Sequence, residues 1–257
     1  MPRRSHETSA LEAIPIPGIG EVLPGDSVAD VVLHAITKQK LRLQRGDILV
    51  IKHKIVSKAE ARMVVLHLVR PSRTARTWAA LYGLDARVVH LALQEGKHVV
   101  RRKRGVLITE TYHGFVCANS GVDVSNVDGG RCAVLLPADP DHSAREIHRS
   151  IKKNLGLSVP VLITDSFGRP WREGLSEVAI GIAGMKAFRD FRGHRDAYGY
   201  RLRASCEAIA DELACVAGLV CGKVSRVPAC IIRGFHYQPG RGSAQTMVRP
   251  RKRDLFR

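Results

Sequence analysis

Asp165 and Ser166, with Thr164 before them and Arg169 and Arg172 after, form the stretch of this chain best suited to phosphate chemistry. They lie in ITDSFGRPWREG, residues 163–174. A carboxylate and hydroxyls at a strand's end can hold a hard cation, and arginine's planar fork pairs with phosphate or carboxylate oxygens. The apolar run at 159–163 reads as a buried strand, and Gly168, Arg169 and Pro170 are expected to break regular structure just beyond it. The same residues also suit an Asx-turn at Asp165 followed by two surface arginines.

Three other stretches offer compatible chemistry. Residues 115–126 pass from an apolar run into ANSGVDVSN, where Asp123 and Asn126 bracket a turn rich in oxygen ligands. Asp123 and Asp165 together would supply two carboxylates for Mg²⁺ or Mn²⁺ beside a nucleotide, or else two Asx-turns. Lys54 and Lys58 share a helix face after the strand expected at 48–51, next to His53, as a phosphate-facing or simply solvated basic face. Residues 220–228 contain Gly222, which lets backbone approach a ligand, and Lys223, which can place a charge on it. The loop at 15–22 carries two prolines and two glycines, which can cradle phosphate or merely turn.

Several elements must position these residues. A helix capped by Asp26 or Ser27 is expected from the apolar spacing of Val28, Val31, Val32, Ala35 and Ile36. A second helix opens at Asp139-Pro140, carries Ala144, Ile147, Ile151 and Leu155, and stops at Gly156. A third spans 205–220. Strands are expected at 88–93, 107–109, 178–185 and 229–233, and residues 190–200 read as a polar turn region. Residues 1–13 read as a flexible tail, and 14–257 as one domain, with two lobes allowed.

The chain has 257 residues, 45% of them hydrophobic, which is ordinary for a soluble globular protein. No apolar run approaches the roughly 18–20 residues of a membrane span and no signal-peptide core opens the chain, so a cytoplasmic protein with no membrane partner is expected. The six cysteines form no CxxC pair and are expected to be buried thiols, not a zinc site or disulfide framework. The net charge of +17 favours anionic partners. A nucleic-acid-binding protein would follow from charge alone, but no such motif is present and aromatics for base stacking are only 5%.

Taken in order, PGDS at 24–27, GDILVIKHKIVSKAE at 46–60, GFVCANSGVDVSN at 114–126, LLPADPD at 135–141, ITDSFGRPWREG at 163–174, DAYG at 196–199, ADELA at 210–214 and DLFR at 254–257 resemble the coenzyme F-420-0:L-glutamate ligase family, the gamma-glutamyl ligases of deazaflavin biosynthesis. The resemblance implies an α+β fold, mixed sheets with flanking helices and a dimer cleft. It implies an enzyme that joins L-glutamate to the lactyl carboxylate of coenzyme F-420-0 and can extend the tail with further gamma-linked glutamates. GTP would be cleaved to GDP through an acyl phosphate, with Mg²⁺ or Mn²⁺ and K⁺ as cofactors and a homodimer as the assembly.

By motif, Asp123, Asp165 and Ser166 resemble metal ligands, with Ser166 where the family often has threonine. Asn126 resembles a guanine-nucleotide contact. Ile19, Gly20, Glu21, Val22, His53, Lys54, Lys58 and the run Cys221, Gly222, Lys223, Val224, Ser225, Arg226, Val227, Pro228 match nucleotide-binding segments. Arg169 and Arg172 are the expected catalytic arginines. Relatives commonly have proline at Gly20 and small residues at His53. Lys223 lies near a polar metal ligand of archaeal members and is given no metal role. The extra C-terminal flavin-binding domain of some bacterial relatives is not expected in a chain of this length. A related nucleotide-dependent ligase acting on another carboxylate is the alternative.

Overall fold

The computed structural model describes residues 10–255. Its centre is a five-stranded sheet, ordered β1 (Glu12–Pro15), β12 (Ala229–Arg233), β2 (Ile48–Lys52), β8 (Val161–Arg169) and β9 (Arg172–Ala183). Only β2 and β8 are parallel, Leu49 facing Val161 and Lys52 facing Thr164. Every residue from Ile48 to Ile51 is buried, the unbroken apolar run of a strand covered on both faces. The arrangement is the expected α+β class of mixed sheets and flanking helices.

Local signals explain the helices around it. Helix α1 (Val28–Lys38) begins where the Ser27 side chain accepts from the Asp30 N–H, and it buries Val28, Ala29, Val32, Ala35 and Ile36. Helix α2 (His53–Ala59) follows β2 without a loop. Helix α5 (Pro140–Leu155) is capped by Asp139, has Pro140 in its first turn, and ends at Gly156 in the left-handed region, φ 69°. Both α5 and α6 (Ile209–Cys221) pack on β9, and α5 also packs on β8.

A smaller layer holds a separate apolar cluster around Leu91, Leu107 and Leu135. It contains β3 (Met63–Val65) paired with β7 (Cys132–Val134), and a second sheet of β4 (Gly96–Lys103), β5 (Val106–Thr111) and β6 (Val116–Ala118). Helices α3 (Arg73–Tyr82) and α4 (Ala86–Glu95) lie against each other there. The short pair β10 (Arg189–Asp190) and β11 (Cys206–Glu207) closes the turn region that follows β9.

The structure corrects several expectations. Residues 88–93 are helical, not extended: Asp85 accepts from the Arg87 N–H as an N-cap, and Val89 and Ala92 are buried at helical spacing. Glu12 and Ala13, assigned to the flexible tail, pair with Arg233 and Ile232 in β1; residues 1–9 lie outside the described residues. Pro15 ends that strand, tolerated because β1 is a sheet edge. Cys206 is exposed and Cys215 half-buried, whereas Cys117, Cys132, Cys221 and Cys230 are buried as expected. Finally, Gly168 and Arg169 do not break the strand. β8 continues through them, turns at Pro170 and Trp171, and returns as β9 with Arg169 opposite Arg172. Trp171 takes the left-handed conformation, φ 56°, that a tight hairpin turn needs.

Candidate functional site

The C-terminal ends of β2 and β8 lie side by side and open into a cavity of about 510 Å³. Parallel strands place ligand sites at this end. Lys52, His53 and Lys54 enter from the β2–α2 junction, and Thr164, Asp165 and Ser166 from β8. Ile19, Gly20 and Glu21 form one rim, Asn126 and Asp128 another. Gly222, Lys223, Val224, Arg226, Val227 and Pro228, between α6 and β12, close the remaining side. Three of these residues, Asn126, Asp128 and Arg226, have positive φ without being glycine. Such backbone is uncommon and collects at ligand sites.

The charges are interlocked. Lys54 Nζ lies 2.8 Å from Asp123 Oδ2 and donates to Ser125 O at 2.6 Å and Ser125 Oγ at 3.1 Å, so its three protons have three acceptors. Lys58 pairs with Glu21 at 2.5 Å. Lys52 Nζ lies 2.6 Å from Glu177 Oε1, and the same oxygen accepts from Ser166 Oγ at 2.6 Å. The buried His53 ring has Nδ1 3.3 Å from Ser57 Oγ and Nε2 3.3 Å from Asp165 Oδ1.

Burial pushes the Asp165 carboxyl up, but the His53 ring and the Ser166 N–H outweigh it and hold Asp165 below its ordinary value. Asp123 behaves alike: burial raises it, and the bonds from Lys54 and Ser125 bring it below the usual range. The two carboxylates repel, since the Asp123 charge raises Asp165. The Asp165 charge also adds to burial in pushing the Cys117 thiol up to about 12. Both aspartates therefore stand ionised at neutral pH, and Cys117 stands as a thiol.

Most of the expected site residues come together here, but not all. Val22 is buried in the core beneath the rim, and Cys221 is the buried last residue of α6. Ser225 turns inward to donate to Cys221 O. Asn126 lines the cavity, yet its Nδ2 donates to Lys223 O at 3.2 Å, tying two rims together. Arg169 and Arg172 correct the expectation that a short loop would aim them at the phosphates. They sit exposed on the hairpin arm, outside the cavity lining, and Arg169 donates to Glu173 O at 3.2 Å. Sequence reasoning missed Lys52 and Glu177. Lys52 was discoverable as the first polar residue after a buried strand, the same rule that singled out Thr164. Glu177 depends on hairpin register and carried no local signal.

Among the described residues no group of three or more His, Cys, Asp or Glu is arranged to hold a metal. Asp165 lines the cavity, whereas Asp123 stands outside the lining and is tied to it through Lys54; the pair still suits a hard cation that shares its coordination with phosphates, because Mg²⁺ commonly takes one or two carboxylates plus substrate oxygens. Ser166 fits too: its proton is donated to Glu177, which leaves its oxygen lone pairs available. Thr164 Oγ1 is fully buried with no hydrogen-bond partner, although its residue lines the cavity. Buried polar atoms are normally satisfied, and this hydroxyl is placed to bond a group that enters the cavity.

A family model described as F420-0:Gamma-glutamyl ligase matches residues 18–234. The chain is 41% identical to the Coenzyme F420:L-glutamate ligase of Methanothermobacter thermautotrophicus over 250 residues, covering 96% of this chain and 99% of that one. It is 41% identical to the enzyme of that name from Methanopyrus kandleri, over 95% of this chain and 96% of the relative. With the Methanocaldococcus jannaschii protein of the same name it shares 42% identity over 84% of this chain and 86% of the other.

Proposed function

We propose, from the premise that this chain belongs to the F420-0:gamma-glutamyl ligase family, that its cavity is where GTP activates the lactyl carboxylate of coenzyme F420-0 for amide formation with L-glutamate. The observation that carries the reading is that every segment lining the cavity falls inside the matched residues 18–234. Positive side chains facing ionised Asp165 suit a polyanion bound together with a cation. The same reading extends to further gamma-linked glutamates, to K⁺ as a second cofactor, and to a homodimer. The exposed Trp171 and Leu175 on the hairpin arm favour contact with a second copy.

The chemistry follows from a poor leaving group. An amine cannot displace oxide from a free carboxylate. Transfer of the terminal phosphoryl group of GTP to a carboxylate oxygen yields GDP and an acyl phosphate. The glutamate amine then attacks the acyl carbon, the C–O bond to phosphate breaks, phosphate departs, and the nitrogen loses a proton. Lys58 and Arg226 offset the charge of the transferring oxygens, and the Gly222 backbone allows close approach. Asp123, Asp165 and Ser166 would hold Mg²⁺ or Mn²⁺, which supplies neutralising charge across the phosphates. His53, whose ring nitrogens lie 3.3 Å from Ser57 Oγ and from Asp165 Oδ1, is the side chain placed to orient that carboxylate.

Mass spectrometry of the products from GTP, Mg²⁺ or Mn²⁺, glutamate and coenzyme F420-0 tests the reading. The expected products are the glutamyl amide, GDP and phosphate, with ¹⁸O from a labelled acceptor carboxylate recovered in the phosphate. Unlabelled phosphate overturns the acyl phosphate. Ligation of glutamate to other carboxylates but not to coenzyme F420-0 overturns the acceptor.

A further inference from the structure

Of the lysines around the cavity, Lys54 has its three donors engaged by Asp123 and Ser125, and Lys58 leans on the rim residue Glu21. Lys52 differs. It is the last residue of β2, it lines the cavity beside Thr164, and Glu177 is its ion-pair partner among the described residues. We propose that Lys52 is a further phosphate-binding residue of this cavity, held in aim by Glu177, an inference that rests on the nucleotide reading above.

The construction around Glu177 is specific. Beside the step from Ile163 to Thr164, β9 carries one extra residue, Ile180, since Ile163 faces Gly181 whereas Thr164 faces Ala179. A one-residue slip reverses which face each side chain takes. Beyond that bulge, Glu177 lies against α6 at Gly218, where an added Cβ would come within 2.5 Å of Glu177 Cγ. The carboxylate is thus seated in a slot that only glycine leaves open.

Its Oε1 gathers both Lys52 Nζ and Ser166 Oγ, while its Oε2 is buried without a hydrogen-bond partner. A carboxylate satisfied on one side only is a poor way to stabilise a fold. It is an effective way to fix an ammonium group and a hydroxyl relative to each other at a cavity wall. Glu177 is outside the lining, so it is a positioning residue, and Lys52 is the group that meets the ligand. Lysine carries three ammonium protons, and the ion pair with a single oxygen leaves donors to turn toward an anion.

Calorimetric titration with GTP and Mg²⁺, paired with thermal unfolding, separates this role from a structural ion pair. Lys52→Met should weaken GTP binding about tenfold or more, and Lys52→Arg should keep most of the affinity. Glu177→Gln, which retains an oxygen for Ser166 but not the charge, should lose less than Lys52→Met. The deciding protein is Lys52→Met/Glu177→Gln, in which no charge is left buried and unpaired. Stability close to wild type with GTP affinity still about tenfold down supports the proposal. Wild-type affinity in that double variant overturns it and leaves the nucleotide reading intact. A wild-type protein that binds neither GTP nor ATP overturns the nucleotide reading itself.

Discussion

From Val161 to Thr164, β8 is buried, with β2 parallel on one side and β9 antiparallel on the other; from Asp165 to Arg169 it keeps only β9 and passes from half-buried to exposed. The inner half is apolar and fixed by two neighbours. The outer half is mostly polar, carries Arg169, and ends in a hairpin turn that sets Arg172 of β9 opposite it. The cavity forms at the seam, where Thr164 is the last residue held on both sides and Asp165 and Ser166 keep only β9. Chemistry placed there borrows the precision of the core and the access of the surface.

The largest effect is expected from breaking the seam itself. Asp165→Asn keeps the side chain's shape but removes the charge that faces His53 and that the proposed cation would meet. It should lower kcat/KM by about 100-fold or more, a loss on the order of 3 kcal/mol, while unfolding changes little. Near-normal turnover at limiting Mn²⁺ would move the cation site elsewhere.

Next comes packing on the two sides of the seam. At Gly181, paired with Ile163 in the inner half, an added Cβ would lie 2.2 Å from the Pro140 backbone oxygen at the start of α5. Gly181→Ala should therefore cost about 1–3 kcal/mol in denaturant unfolding. At Gly168 in the outer half, the same Cβ meets nothing within 4 Å. Gly168→Ala should be neutral or stabilising by up to about 0.5 kcal/mol, because it restricts the unfolded chain. Equal costs at the two sites would mean that the arm is as tightly packed as the core.

The two halves also differ in how far local sequence reveals them. The inner strand, β2 and helix α5 are readable because unbroken apolar runs and end-caps such as Asp139 and Gly156 act through neighbours in sequence. The outer arm is not, because Gly168 and Pro170 are compatible with a loop and only pairing with β9 makes them a hairpin. Helix α4 was hidden behind Val88 and Val89, whose β-branched side chains suit a strand until Asp85 caps a helix. The candidate site shows the same division. Asp123, Asp165, Ser166 and the 222–228 loop announce themselves by type, whereas Glu177 reaches Lys52 only through a bulge and a cross-strand register.

A smaller effect is expected at the arm's arginines. About four residues of strand separate Arg169 from Asp165, roughly 13 Å. Arg169→Ala and Arg172→Ala should each leave kcat and KM within about twofold of wild type, and stability within about 0.5 kcal/mol. A large fall in kcat in either variant, with unchanged unfolding, would break the comparison. It would mean that the arm of one protein molecule completes the cavity of a second.

The smallest effect lies where α6 meets the seam. Asp211, in the first turn of α6, accepts from the Ala179 N–H at 2.9 Å, the residue of β9 that faces Thr164. Burial pushes the Asp211 carboxyl above its ordinary value, and the bond from Ala179 only partly opposes this. A carboxyl raised in the folded state favours folding while it is protonated, and that contribution is lost as pH rises from the unfolded value through the folded one. At neutral pH the charged Asp211 is thus a mild burden on the fold. Asp211→Asn keeps an oxygen for the Ala179 N–H and removes the charge, so it should raise Tm at pH 7 by about 2 °C or less. The gain should shrink as pH falls into the carboxylate range, where wild-type Asp211 becomes neutral as well. Opposing it is the pull of the α6 N-terminus on a negative charge, which is largest when that charge is ionised. A Tm at pH 7 below wild type would show that this attraction and the charged hydrogen bond outweigh burial, making Asp211 a stabilising anion that ties α6 to the half-open strand.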